Sequence, residues 1–151
     1  MKDVYSQIEI KSSPERVWHI LTDFPSFPKW NPFIRTAEGE LQVGKRLKVH
    51  LKPPRGMGMT FKPTVLTVRL NQELSWLGHL FIPGLFDGRH IFTILPLDNN
   101  RVLFVQQERF TGIMVPLFWL IGVIKSALNG FEAMNQALRE RAEQEPMSLN
   151  I

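Results

Sequence analysis

The chain has no cysteine in its 151 residues, which excludes a disulfide framework, a thiol nucleophile and a thiolate metal site. A reducing, cytoplasmic setting is the expectation that fits. No stretch reaches the roughly 18 to 20 apolar residues of a membrane span, and Met1 to Tyr5 shows no apolar run behind a basic head. A soluble, unexported chain is therefore expected. His19, His50, His79 and His90 fall on separate elements with no second ligand at helical or strand spacing, so no metal and no cofactor are expected. Gly56 and Gly58 sit in a Pro53 to Met59 segment without the Lys and Ser or Thr of a phosphate loop, and that segment reads as a mobile hairpin lid instead. Acidic residues are slightly outnumbered, 14 against 18 Lys and Arg, for a net charge of +4. Arg46, Lys48 and Lys52, with His50 among them, share one strand face, but no stacking aromatics interleave them, so nucleic acid is not an expected partner. Repeats, low-complexity segments and interdomain linkers are absent, and one domain over residues 1–151 is the reading.

What is present is a clear order of periodicities. Residues Val4 to Lys11 alternate, with Ile8 and Ile10 opposite Gln7 and Glu9, as a half-buried strand does. Ser12 and Ser13 before Pro14 and Glu15 supply a helix start, and Val17, Trp18, Ile20 and Leu21 follow at helical spacing to about Thr22. A proline-punctuated turn from Asp23 to Lys29 carries a second helical turn. Turn signals then divide the chain into six strands, near 31–38, 45–52, 59–69, 73–81, 88–96 and 101–110. Their short links imply antiparallel neighbours. Val115 to Glu143 reads as one long amphipathic helix, with Leu117, Leu120, Ile121, Ile124, Leu128, Phe131 and Leu138 on its buried face. An opposite stripe of Val115, Trp119, Gly122, Ser126, Gly130, Ala133 and Ala137 is left without a place in the core. Loops covering it, a homodimer contact and a transient membrane-surface contact are the alternatives for that stripe.

Particular residues carry a family resemblance over nearly the whole chain. They are Ser13, Pro14, Glu15, Val17 and Trp18; Trp30, Asn31, Pro32 and Phe33; and Leu74, Trp76 and Gly78. Gly88, His90, Phe92, Leu95 and Pro96 follow, then Glu108, Arg109, Phe110 and Gly112, and finally Gly130 to Asn135 with Leu138. In that order they resemble the START-like, helix-grip superfamily (SRPBCC), which includes the polyketide cyclase/dehydrase and lipid transport family. The resemblance implies an α+β fold in which a seven-stranded, curved antiparallel sheet wraps around a long C-terminal helix, with two short helices between the first two strands. It also implies an apolar cavity between sheet and helix for a small hydrophobic or amphipathic ligand such as a lipid or polyketide.

Alternation places His90 and Phe92 on one strand, and Gln106, Glu108 and Phe110 on the next, facing that cavity. His90 and Glu108 are the candidate acid–base pair; an ordinary buried pair satisfying each other is the competing reading. Arg35 is placed at the cavity mouth to meet an anionic group, whereas Arg89 points outward. Asn31 is expected to cap a turn. Phe33, Phe61, Trp76, Phe118 and Phe131 complete the candidate lining, although aromatics at these spacings also make plain core. Two function classes therefore stand open, a ligand-binding or transport module and a polyketide cyclase or dehydratase. Docking on another protein or a membrane is a third idea.

Overall fold

The structure, a computed structural model, describes residues 1–144; the domain boundary expected at residue 151 lies outside them. The chain opens with strand β1 (Lys2–Ile10), whose inner positions Val4, Ser6, Ile8 and Ile10 alternate with exposed ones. Helix α1 (Pro14–Thr22) begins where expected, with Ser13 Oγ accepting from the Arg16 amide at 3.2 Å and Pro14 in the first turn. A 3₁₀ turn at Phe24–Ser26 leads into the short helix α2 (Phe27–Trp30). Asn31 then caps the turn, its Oδ1 accepting from the Phe33 and Ile34 amides at 3.0 and 2.9 Å.

Seven further strands follow, not six: β2 (Ile34–Glu38), β3 (Lys48–Leu51), β4 (Met59–Phe61), β5 (Thr64–Arg69), β6 (Glu73–Leu80), β7 (Phe86–Leu97) and β8 (Arg101–Thr111). The single strand expected over 59–69 is split by Lys62 and Pro63. A proline has no amide to give the ladder, so it ends one strand and lets the next begin in another sheet. The expected seven-stranded sheet is accordingly eight strands in two sheets. One has five strands in the order β1-β8-β7-β6-β5, the other three in the order β2-β3-β4, and all neighbours are antiparallel. The sheets join where Leu47 donates to the Pro63 carbonyl at 2.8 Å and Val65 to the Lys45 carbonyl at 2.9 Å. Leu47 and Val49 are buried while Arg46 and Lys48 face solvent, as their period of two predicts.

The long helix is broken. Helix α3 (Val115–Leu120) stops at Ile121, Gly122 adopts a left-handed conformation with φ +85°, and helix α4 (Val123–Glu143) starts again. The break resets the helical phase. Leu117, Leu120 and Ile121, expected in the core, are exposed, while Val115 and Gly130, expected on the outer stripe, are buried. Ile124, Phe131, Met134, Asn135, Leu138 and Ala142 form the buried face of α4. That face lies across β1 and β8, and its far end is tied to α1 by Arg16, whose guanidinium donates to the Ala142 carbonyl at 2.7 Å. Among the described residues, no helix is long and apolar enough to cross a membrane.

Candidate functional site

The antiparallel register sets His90 directly opposite Glu108 on β7 and β8, and Trp76 opposite His90 on β6. Inward alternation then turns all three to one cavity, with His90 also against Phe131 of α4. The His90 ring stacks on Phe92 with centroids 4.2 Å apart, lies 4.8 Å from Phe131 and 5.8 Å from Trp76, and is only 2% exposed. Surrounded by aromatic carbon, the imidazolium loses its hydration. Burial lowers the His90 pKa from 6.5 to about 4, against the opposing effect of its hydrogen bond to Gln106.

A line of buried polar groups fixes the tautomer. Asn135 Nδ2 donates to Ser6 Oγ at 3.2 Å, and Gln106 Nε2 donates to Asn135 Oδ1 at 2.7 Å. The remaining amide oxygen of Gln106 faces His90 Nε2 at 2.9 Å and can only accept, so Nε2 carries the proton. Nδ1 is left with its lone pair, 4.0 Å from Glu108 Oε1. Three side chains, from β1, α4 and β8, thus hold the imidazole of β7 in one state.

Glu108 has the complementary problem. Its Oε2 is buried without a hydrogen-bond partner, and burial raises its pKa from 4.5 to about 8. At neutral pH the acid carries its proton and the imidazole does not. Room for the carboxyl exists because Gly88 lies beside it: a Cβ there would stand 3.2 Å from the carboxyl carbon and from Oε1.

These groups form one wall of a cavity of about 80 Å³ between the two sheets. Phe61, Trp76, Phe86 and Phe110 provide its aromatic walls, Val49 and Leu51 its roof from β3, and His90 and Glu108 its polar end. Such a volume holds roughly two or three water molecules, well below the several hundred Å³ of a drug-sized ligand site. Phe118 of α3 packs edge-on against Phe86 with centroids 4.6 Å apart, behind that wall of the cavity.

Of the residues expected to line the site, Phe61, Trp76, His90, Glu108 and Phe110 meet at the cavity. The others do not line it. Phe92 and Phe131 stand behind His90, Gln106 is its hydrogen-bond partner, Phe118 backs Phe86, and Phe33 packs on Phe131 with centroids 5.7 Å apart. Arg35 is a correction. A register shift between Ile34 and Thr36 turns it away, and its guanidinium donates to the carbonyls of Asn31 and Pro28 beside α2. Arg89 is exposed, as expected. Asn135 and Ser6 were not anticipated, although an Asn between Phe131 and Leu138 on the buried stripe of a helix is itself a sign of a polar partner. No group of three or more His, Cys, Asp or Glu suited to a metal occurs among the described residues.

Comparison with known proteins follows the same architecture. No curated protein matches the chain. Among solved structures, a START superfamily protein from Mycobacterium smegmatis is 22% identical with a TM-score of 0.72, over 94% of this chain and 97% of that one. A protein from Helicobacter pylori is 21% identical with a TM-score of 0.75, over 93% and 88% of the two chains. A norcoclaurine synthase point mutant from Thalictrum, in complex with a transition-state analogue, is 14% identical with a TM-score of 0.70, over 93% of each chain. At these identities the likeness is one of fold. The profile of the family described as polyketide cyclase/dehydrase and lipid transport matches residues 1–143, and the chain belongs to that family.

Proposed function

We propose that the protein binds a small, mainly apolar molecule whose single polar end rests against Glu108 and His90. The observation that carries this reading is the unpartnered, buried Glu108 Oε2 at the end of an aromatic cavity. A buried oxygen left without a partner costs roughly 1–3 kcal/mol, and a ligand group bonding to it would recover that energy. The protonated carboxyl offers a donor and His90 Nδ1 an acceptor, so the polar end that fits is uncharged, such as a carbonyl, enol or phenol. The cavity as it stands takes only a fragment of a few non-hydrogen atoms, so a lipid or polyketide needs its aromatic walls to move apart.

A panel of fatty acids, aromatic polyketides and flavonoids tests this by chemical-shift perturbation. The expected result is a response centred on the Trp76 indole, the His90 ring and Phe110, weakened in Glu108→Leu. Silence across the whole panel, or shifts confined to the outer surface, would sink it.

An acid–base enzyme is the second reading, favoured by one observation: a protonated acid and an unprotonated imidazole nitrogen lie 4.0 Å apart on the wall of one cavity. Arg35, which points away, has no part in it. Turnover of a ketide-like substrate that survives His90→Ala with Glu108→Ala would eliminate this reading.

A further inference from the structure

Three segments near Phe86 carry large apolar side chains exposed to solvent. Phe81 is 83% exposed, Leu120 81%, Met57 88% and Ile113 76%; Ile82 and Ile121 stand beside them. The segments are neighbours. Ile113 and Met114 donate to the carbonyls of Gly84 and Leu85 at 3.1 and 2.9 Å, tying the start of α3 to the β6–β7 loop. Gly56 in the β3–β4 loop lies so close to the first turn of α4 that a Cβ added there would stand 3.2 Å from Ser126 Oγ. Phe81 is moreover held at φ +68°, a conformation that costs a bulky residue of order 1 kcal/mol or more, so the loop bears strain while presenting an aromatic ring to solvent.

The charge around this apolar edge has one sign. Residues 52–59 contain Lys52 and Arg55 and no acid, residues 80–86 contain no charge, and residues 112–130 contain Lys125 and no acid. Lys2 lies with its ammonium 3.6 Å over the Trp119 ring at the same edge. Two carboxylates on the adjoining strands are already engaged: Asp3 accepts from Arg109 at 3.0 Å, and Asp87 binds His79 at 2.7 Å and the Gly84 amide. An apolar band fringed by unopposed cations complements an anionic lipid surface. A second copy of this chain fits poorly, because a two-fold contact there would set Arg55 and Lys125 against like charges.

We propose that the protein docks on anionic membranes through the edge formed by the β3–β4 loop, the β6–β7 loop and α3. Docking there sets the Phe86–Phe118 end of the cavity against the acyl region, so an apolar ligand passes between bilayer and cavity without crossing water. The test is co-sedimentation of the full chain with vesicles of phosphatidylcholine alone and of phosphatidylcholine mixed with phosphatidylglycerol. Binding is expected to the mixed vesicles and to weaken with salt. Arg55→Gln with Lys125→Gln lowers partitioning by about fivefold per charge removed. Phe81→Ser with Leu120→Ser lowers it by roughly tenfold or more, with an unchanged melting temperature because both side chains are exposed. Glu108→Gln, inside the cavity, leaves vesicle binding as it is. Absence of binding to either composition, or undiminished binding by both double variants, overturns the proposal. So does a stable dimer that Phe81→Ser with Leu120→Ser dissociates.

Discussion

Replacing Glu108 by glutamine is expected to remove a loss of stability that the wild-type protein suffers as the solution becomes alkaline. In the folded chain burial raises this carboxyl from 4.5 to about 8, so between those values the unfolded chain has released a proton that the native state keeps. Rising pH then favours unfolding. The Glu108 contribution is fully present below about pH 4.5 and is lost as pH climbs through about 8, and the gap corresponds to about 5 kcal/mol. His90 works in the opposite sense. Its pKa falls from 6.5 to about 4, so its contribution is present above 6.5 and disappears as pH drops through 4, worth about 3 kcal/mol. In the wild-type protein the two slopes cancel between 4.5 and 6.5, and stability declines from there to about 8. In Glu108→Gln the decline is gone, and stability rises with pH to about 6.5 and then stays level. Urea denaturation followed by tryptophan fluorescence at a series of pH values measures both curves, since Trp18 and Trp76 are buried. Parallel curves for wild type and variant would refute the assignment of Glu108 as a buried, protonated acid.

Gln106→Leu takes the acceptor from His90 Nε2 and the donor from Asn135 Oδ1, and is expected to cost about 3 kcal/mol in urea denaturation. In the same variant the imidazole ¹⁵N shifts of His90 are expected to leave the values of a single tautomer; unchanged shifts would contradict the hydrogen-bonded line from Ser6 to His90. Gly130→Ala drives a methyl into the ring of the fully buried Phe33, and a loss of about 1–3 kcal/mol is expected by the same measurement.

Much of the architecture was legible because the elements that built it repeat with a clean period. Alternation along β7 and β8 correctly turned His90, Phe92, Gln106 and Phe110 inward, since a strand between two others cannot change phase without a bulge. Where one residue changes the phase, pattern reasoning fails across it. Gly122 at φ +85° rotated Leu117, Leu120 and Ile121 out of the core, although a glycine in mid-helix is a warning that can be read. The shift beside Arg35 did the same in β2 and left no mark in the local composition. The site was half legible for a different reason. His90 and Glu108 face each other by register, but the link from Gln106 to Asn135 joins residues 29 apart in sequence, and only the docking of α4 on the sheet decides it.

The break at Gly122 has a counterpart at Gly112, where φ is +116°. Between these two joints lies a nine-residue cassette, residues 113–121, fastened by the backbone bonds to Gly84 and Leu85 and by the side chains of Met114, Val115 and Phe118. Its remaining apolar side chains face outward, so their replacement leaves the sheet, α4 and the polar line to His90 untouched. The outward side of this segment is thus decoupled from the part of it that holds the fold. Exchanging the outward residues between the two glycines, with Met114, Val115 and Phe118 kept, offers a way to alter the surface beside the cavity at little expense in stability.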